Sequence, residues 1–209
     1  MTNVHDLGGK PGFGKIPFVS DEREYKERWE FVLMSITRLA YAKGLFRADA
    51  LRYSIERIFP ENYLADPYYA RMLTGATNLS IEAGHVSLDD LKRHAGPGIS
   101  FPVIAAAQSG HEGLGDHSTH GYSIGDQVIV RASFADGHVR TPGYVKGKVG
   151  RLIRKGHRLP FPGQAGHMEA HQMEQTWLVE FDRSHIWDDD TTPGTITVDL
   201  WESYFSPAT

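Results

Sequence analysis

Eleven histidines and no cysteine set the first limits on the chemistry open to this 209-residue chain. Without cysteine there are no disulfides, no thiolate nucleophiles and no thiolate ligands. A metal held by this chain alone needs imidazoles and carboxylates, and a sulfur-ligated metal has to come from a partner. His167 and His171 stand at i and i+4 in His167-Met168-Glu169-Ala170-His171. The glutamate does not follow the first histidine as the zinc-protease pattern requires. Pro160, Pro162 and Gly163 just upstream argue against a helix there, so the segment reads as a polar loop. His111, His117 and His120 fall where no periodicity exists and read as solvated. No Ser/His/Asp set, nucleophile elbow or phosphate-cradling glycine loop can be assembled. By motif alone the chain is not a self-contained enzyme.

Two arginines stand out. Arg52 follows Leu51 on a helical face that includes Ile55, and Arg140 lies in the turn-forming run Gly137-His138-Val139-Arg140-Thr141-Pro142-Gly143-Tyr144. Each reads either as a surface arginine in a weak salt bridge or as a fixed fork offering paired donors to a small or planar anion. The local sequence leaves both readings open.

The elements around them are legible. Residues 1–20 are dense in glycine and proline yet carry Phe13, Ile16, Phe18 and Val19, so they predict an extended arm lying on its own domain or on a partner. A helical domain over residues 21–95 follows. Tyr25, Trp29, Val32, Leu33, Ile36, Leu39 and Ala40 predict one helix face over Asp21–Lys43, stopped at Gly44. Leu51, Ile55 and Ile58 predict a second helix over Ala48–Phe59, ended by Pro60. Asp66-Pro67 predicts the start of a third running toward Gly84, and Ser87 with Asp90 a short fourth. Residues 96–121 read as a linker. In residues 122–209, β-rich runs at 127–131, 147–153, 176–181 and 195–201 predict a small SH3-like β-barrel. The fold class is α+β: arm and helical domain, then barrel.

Composition narrows the function. Hydrophobic residues at 40% supply a core, and a net charge of −4 gives no basic footprint for nucleic acid. No apolar run is long enough to span a membrane and the start lacks a secretory signal, so a cytoplasmic protein is expected.

Several separated stretches, in order, resemble one family. His5-Asp6-Leu7-Gly8-Gly9, Gly12-Phe13-Gly14 and Arg28-Trp29-Glu30 resemble the start of nitrile hydratase β subunits. So do Leu51-Arg52-Tyr53-Ser54-Ile55-Glu56-Arg57, Tyr68-Tyr69-Ala70-Arg71, the run from Gly137 to Gly150, and Val198-Asp199-Leu200-Trp201-Glu202-Ser203-Tyr204. The resemblance implies an obligate heterodimer with an α subunit, paired again into an α2β2 tetramer, that hydrates small nitriles to amides. It places a non-haem iron(III) or non-corrin cobalt(III) wholly on the α subunit, ligated by cysteines of which two are oxidised. Arg52 and Arg140 match the arginines that hydrogen-bond those oxidised cysteines, and Tyr68 matches a tyrosine near the metal. Met34, Leu45, Phe46 and Met72 are then candidates for the substrate-pocket wall, although relatives place an aromatic residue at Met34, so substrate preference does not transfer. The arm would wrap the α subunit, and its Phe13-Gly14-Lys15-Ile16-Pro17 and the short linker resemble iron-type more than cobalt-type members. Rival readings are the β-like part of a thiocyanate hydrolase, the activator or metallochaperone of these enzymes, and a free-standing SH3-like module. Activators match over part of the chain and often carry a cysteine motif, and a free module leaves Arg52 without a role.

Overall fold

The first helix starts later than its apolar spacing predicts. In the computed structural model, which describes residues 4–6, 14–15, 23–97, 101, 103–107, 121–134, 137–168, 172–187 and 193–208, helix α1 is Arg28–Ala42. Glu30 is the reason: its carboxylate accepts from the backbone N–H groups of Lys26 at 2.6 Å and Glu27 at 3.1 Å. It thereby closes a capping box on Glu27 one turn inside the apolar run. The expected single face also divides. Leu33, Thr37 and Ala40 are buried, whereas Val32, Ile36 and Leu39, with Trp29, stay exposed. The helix therefore carries one apolar seam inward and a second outward.

Helix α2, Ala48–Glu56, ends three residues before the predicted stop. Pro60 does more than forbid continuation, because it opens an unforeseen short helix α3, Pro60–Ala65, from the first helical position. Asp66 therefore ends α3 instead of capping the next helix, and helix α4, Tyr68–Glu82, begins after Pro67. Helices α2 and α4 cross closely at Gly75, where an added Cβ would stand 2.5 Å from Ile55 Cγ1. There Ser54 Oγ donates to the Gly75 carbonyl at 2.9 Å. Leu33, Phe46, Leu51, Met72 and Leu79 form the core between α1, α2 and α4. Helix α5, Leu88–Ala95, is capped by Ser87, whose side chain accepts from the Asp90 N–H as predicted.

Part of the predicted linker lies on this helical unit: Ile104 is buried, and Ala105 exchanges two hydrogen bonds of 3.0 Å with the Arg57 carbonyl and guanidinium. Residues 108–120 lie outside the described residues, as does most of the arm.

The C-terminal half is an antiparallel sheet of β1 (Gln127–Val130), β2 (Val149–Pro160), β3 (Met173–Asp182), β4 (Thr195–Trp201) and β5 (Phe205–Pro207). Strand order is β4-β3-β2-β1-β5. Strands β2 and β3 run longer than expected and stay paired across two register shifts, near Leu152/Arg154 and Lys155/Arg158. Between them sits a short unforeseen helix α6, Pro162–Gly166, which ends just before the His167–His171 segment, and α7 (Arg183–Ile186) follows β3. A 3₁₀ turn at Glu202–Tyr204 carries the chain from β4 to β5 on the opposite edge. Among the described residues no ladder joins β4 to β5, so the sheet is open and the expected closed barrel is not formed by strand pairing. Its core holds Val128, Leu152, Trp177, Val179, Phe181 and Leu200 with Tyr204.

Candidate functional site

Helix α2 places Asp49, Arg52 and Glu56 on one side, at i, i+3 and i+7. That side faces the turn before the 3₁₀ element Gly143–Val145, which carries His138 and Arg140. Helix α6 packs behind the turn, close enough that a Cβ on Gly166 would lie 2.8 Å from His138 Cβ.

The result is a continuous chain of charge. Arg52 Nη1 donates to Asp49 Oδ1 at 2.9 Å. The same oxygen lies 3.7 Å from His138 Nε2, an ion-pair distance beyond hydrogen bonding. On its other side His138 Nδ1 sits 2.8 Å from Glu56 Oε2. Glu56 Oε1 then faces Arg140 Nη1 at 3.6 Å and His5 Nε2 at 3.8 Å. Burial is the largest single influence on His138 and disfavours its charged form, but Asp49 and Glu56 together outweigh it and raise its pKa. Asp49 is held below its usual range, first by its interaction with His138. His5 moves the other way, lowered chiefly by burial.

The two arginines thus end one network, with head groups at the surface. Their side chains are 53% and 42% exposed, against 0% for His138 and 7% for Glu56. A guanidinium has five N–H donors, and here Arg52 commits one of them to Asp49, while the Arg140 fork makes no carboxylate hydrogen bond among the described residues. Both can donate outward.

Tyr68, the first residue of α4, is exposed and stacks edge-on against Tyr69 at 5.1 Å. Tyr68 interacts electrostatically with Tyr41. That half-buried phenol, its pKa raised first by burial, feels Arg52, Asp49 and Tyr68. Of the expected pocket wall, Phe46 and Met72 are buried in the helical core and Met34 packs against it. Leu45 is exposed and lines a cavity of about 360 Å³ with Tyr53, Arg57, Glu82 and His167. His167 lies 4.7 Å from the Tyr53 ring, whereas His171 falls outside the described residues, as do His111, His117 and His120. Among the described residues no group of three or more His, Asp or Glu is placed to hold a metal ion. None of their helices is long and apolar enough to cross a membrane.

Motif reading missed Asp49, Glu56, His138 and Tyr41. The available signal was the 49/52/56 spacing on one helix, which places two acids beside an arginine whose partner was unknown.

Comparison with known proteins gives two family models. "Nitrile hydratase beta subunit, N-terminal" matches residues 1–101 and "Nitrile hydratase beta subunit, C-terminal" matches residues 112–207. The chain is 34% identical to nitrile hydratase subunit beta of Rhodococcus erythropolis, over 100% of both chains. It is 31% identical to that of Pseudomonas chlororaphis, over 100% of this chain and 96% of the other. The low-molecular weight cobalt-containing nitrile hydratase subunit beta of Rhodococcus rhodochrous is 28% identical, again over 100% of both. A relative named for cobalt thus matches as fully as the others, and the arm and linker do not decide the metal.

Proposed function

Because the chain belongs to the nitrile hydratase β-subunit family, we propose that it supplies one half of an interface active site whose metal is held by an α subunit, with Arg52 and Arg140 donating hydrogen bonds to that partner's oxidised cysteine ligands. The observation that carries this reading is that the two arginines cap opposite ends of one buried charge chain while their forks stay open to the outside. Guanidinium groups donate and never ligate, which fits them to anionic, oxygenated sulfur and not to the metal itself.

Asp49 and Glu56 aim the two forks, and His138 ties the acids to each other. In a closed interface such charge-assisted bonds gain strength as water leaves. Tyr68 would position the nitrile or the attacking water. When bound in the partner, the metal supplies Lewis acidity for adding water across the C≡N bond to give the amide. This chain shapes the cavity, excludes water from it and holds the anionic ligands in place.

The outward apolar seam of α1, with Trp29, Val32, Ile36 and Leu39 exposed, supports an obligate partner, because monomers rarely leave so much contiguous apolar helix uncovered. The expected assembly is an αβ pair, doubled to α2β2. The five-strand antiparallel order and the 3₁₀ crossover between its two edge strands also support an SH3-like reading of the C-terminal half.

A tagged pull-down from the native host, with intact mass and metal analysis, tests the function. An α subunit in equal ratio, about one iron or cobalt per pair and extra oxygen mass on its cysteines support the reading. A lone chain without metal refutes it.

A further inference from the structure

We propose that Asp6, in the N-terminal arm, is a positioning residue for Arg140. Its Oδ2 accepts from the Gly143 backbone N–H at 2.8 Å. At the near end of the same turn the Arg140 N–H donates to the Tyr204 hydroxyl at 3.3 Å. The turn from Arg140 to Gly143 is therefore pinned at both ends by side chains from elsewhere, one from the 3₁₀ turn between β4 and β5 and one from the arm. Pro142 between them has no N–H and a fixed φ, so little else is needed to define the path.

The adjacent residue also meets the charge chain. His5 Nε2 lies 3.8 Å from Glu56 Oε1, the oxygen that Arg140 Nη1 faces at 3.6 Å. Burial favours neutral His5, which leaves the Glu56 charge to Arg140 and His138. Residues 5 and 6 thus reach the Arg140 turn and helix α2 together. Positioning matters because a fork displaced by an ångström no longer presents its donors in line.

This inference rests on the reading of Arg140 given above. It is tested in the αβ complex with Asp6→Ala and Asp6→Asn, each alone and combined with Arg140→Lys. Hydrogen–deuterium exchange of the peptide covering residues 138–145 should speed up about tenfold in Asp6→Ala. For propionitrile, kcat should fall about tenfold with KM within about twofold, at unchanged subunit ratio and metal content. Asp6→Asn keeps an acceptor oxygen and should restore most of both. On Arg140→Lys, Asp6→Ala should cost less than about a further twofold in kcat. Unchanged exchange, a loss that multiplies fully on Arg140→Lys, or loss of partner or metal in place of kcat overturns the proposal. Full activity of Arg140→Lys alone overturns the reading of Arg140, while the exchange measurement still judges whether Asp6 holds the turn.

Discussion

His138 and Glu56 meet across the junction of the helical unit and the sheet, Nδ1 to Oε2 at 2.8 Å, with the imidazole wholly buried and the carboxylate nearly so. A buried acid retains its charge only when something repays its lost hydration, and here a histidine from a distant turn does so. The contact therefore has two consequences: it joins the two units of the fold, and it fixes the acid that faces Arg140 Nη1 at 3.6 Å.

Removing the imidazole should destabilise the chain. His138→Leu leaves Glu56 without its hydrogen bond and Asp49 without its buried neighbour, and should lower unfolding free energy by about 3 kcal/mol. Urea denaturation of the isolated chain measures this, and a change under about 0.5 kcal/mol would show the contact to be marginal.

The same contact should make stability depend on pH. The folded pKa of His138 is raised above its ordinary 6.5, so its contribution is fully present below 6.5 and is lost as pH rises through the folded value. Asp49 is depressed below 3.8, so its contribution is present above 3.8 and is lost as pH falls through its folded value. The urea midpoint of wild type minus that of His138→Gln should be largest between about pH 4 and pH 6.5 and shrink toward about pH 9. His5 is lowered chiefly by burial, which both chains share, and only secondarily by His138. A difference that grows with pH would assign the wrong protonation state to His138.

Arg52→Lys and Arg140→Lys keep charge but lose the planar fork. Each should reduce kcat on a short nitrile by about a hundredfold, with the αβ complex and its metal content intact. Size-exclusion chromatography and elemental analysis check assembly beside the kinetics. Wild-type activity in both would remove the arginines from the site.

On the outward seam of α1, Ile36→Lys and Leu39→Asp should leave the isolated chain's helicity and stability within about 0.5 kcal/mol, because both side chains are exposed. Capture of the α subunit should be lost. Unimpaired capture would move the interface elsewhere.

At the α2–α4 crossing, Gly75→Ala should lower thermal stability by about 2 kcal/mol, since the new methyl would meet Ile55 Cγ1 at 2.5 Å. Adding Ile55→Ala should recover part of the loss. Additive losses would mean that the clash is relieved by backbone movement.

Much of this protein is legible in its local sequence. Proline, glycine and capping residues placed four of the helices, though not all of their ends, β-rich runs located four strands, and ordered matches along nearly the whole chain pointed to the family, because these signals are local or additive along the chain. It also singled out Arg52 and Arg140. Tertiary structure decided what those arginines touch. Asp49 and Glu56 share a helix face with Arg52, but nothing local indicates that His138, more than eighty residues away from Glu56, enters between them. Nor does periodicity separate Leu33 from Ile36, because both satisfy a helical apolar stripe and only packing against α4 chooses which seam is buried. The late start of α1 has the same origin in competition, since Glu30 accepts from the Lys26 and Glu27 amides and so starts the helix inside the apolar run. Pairwise contacts between distant residues carry no sequence period, so the charge chain became visible only when the fold closed around it.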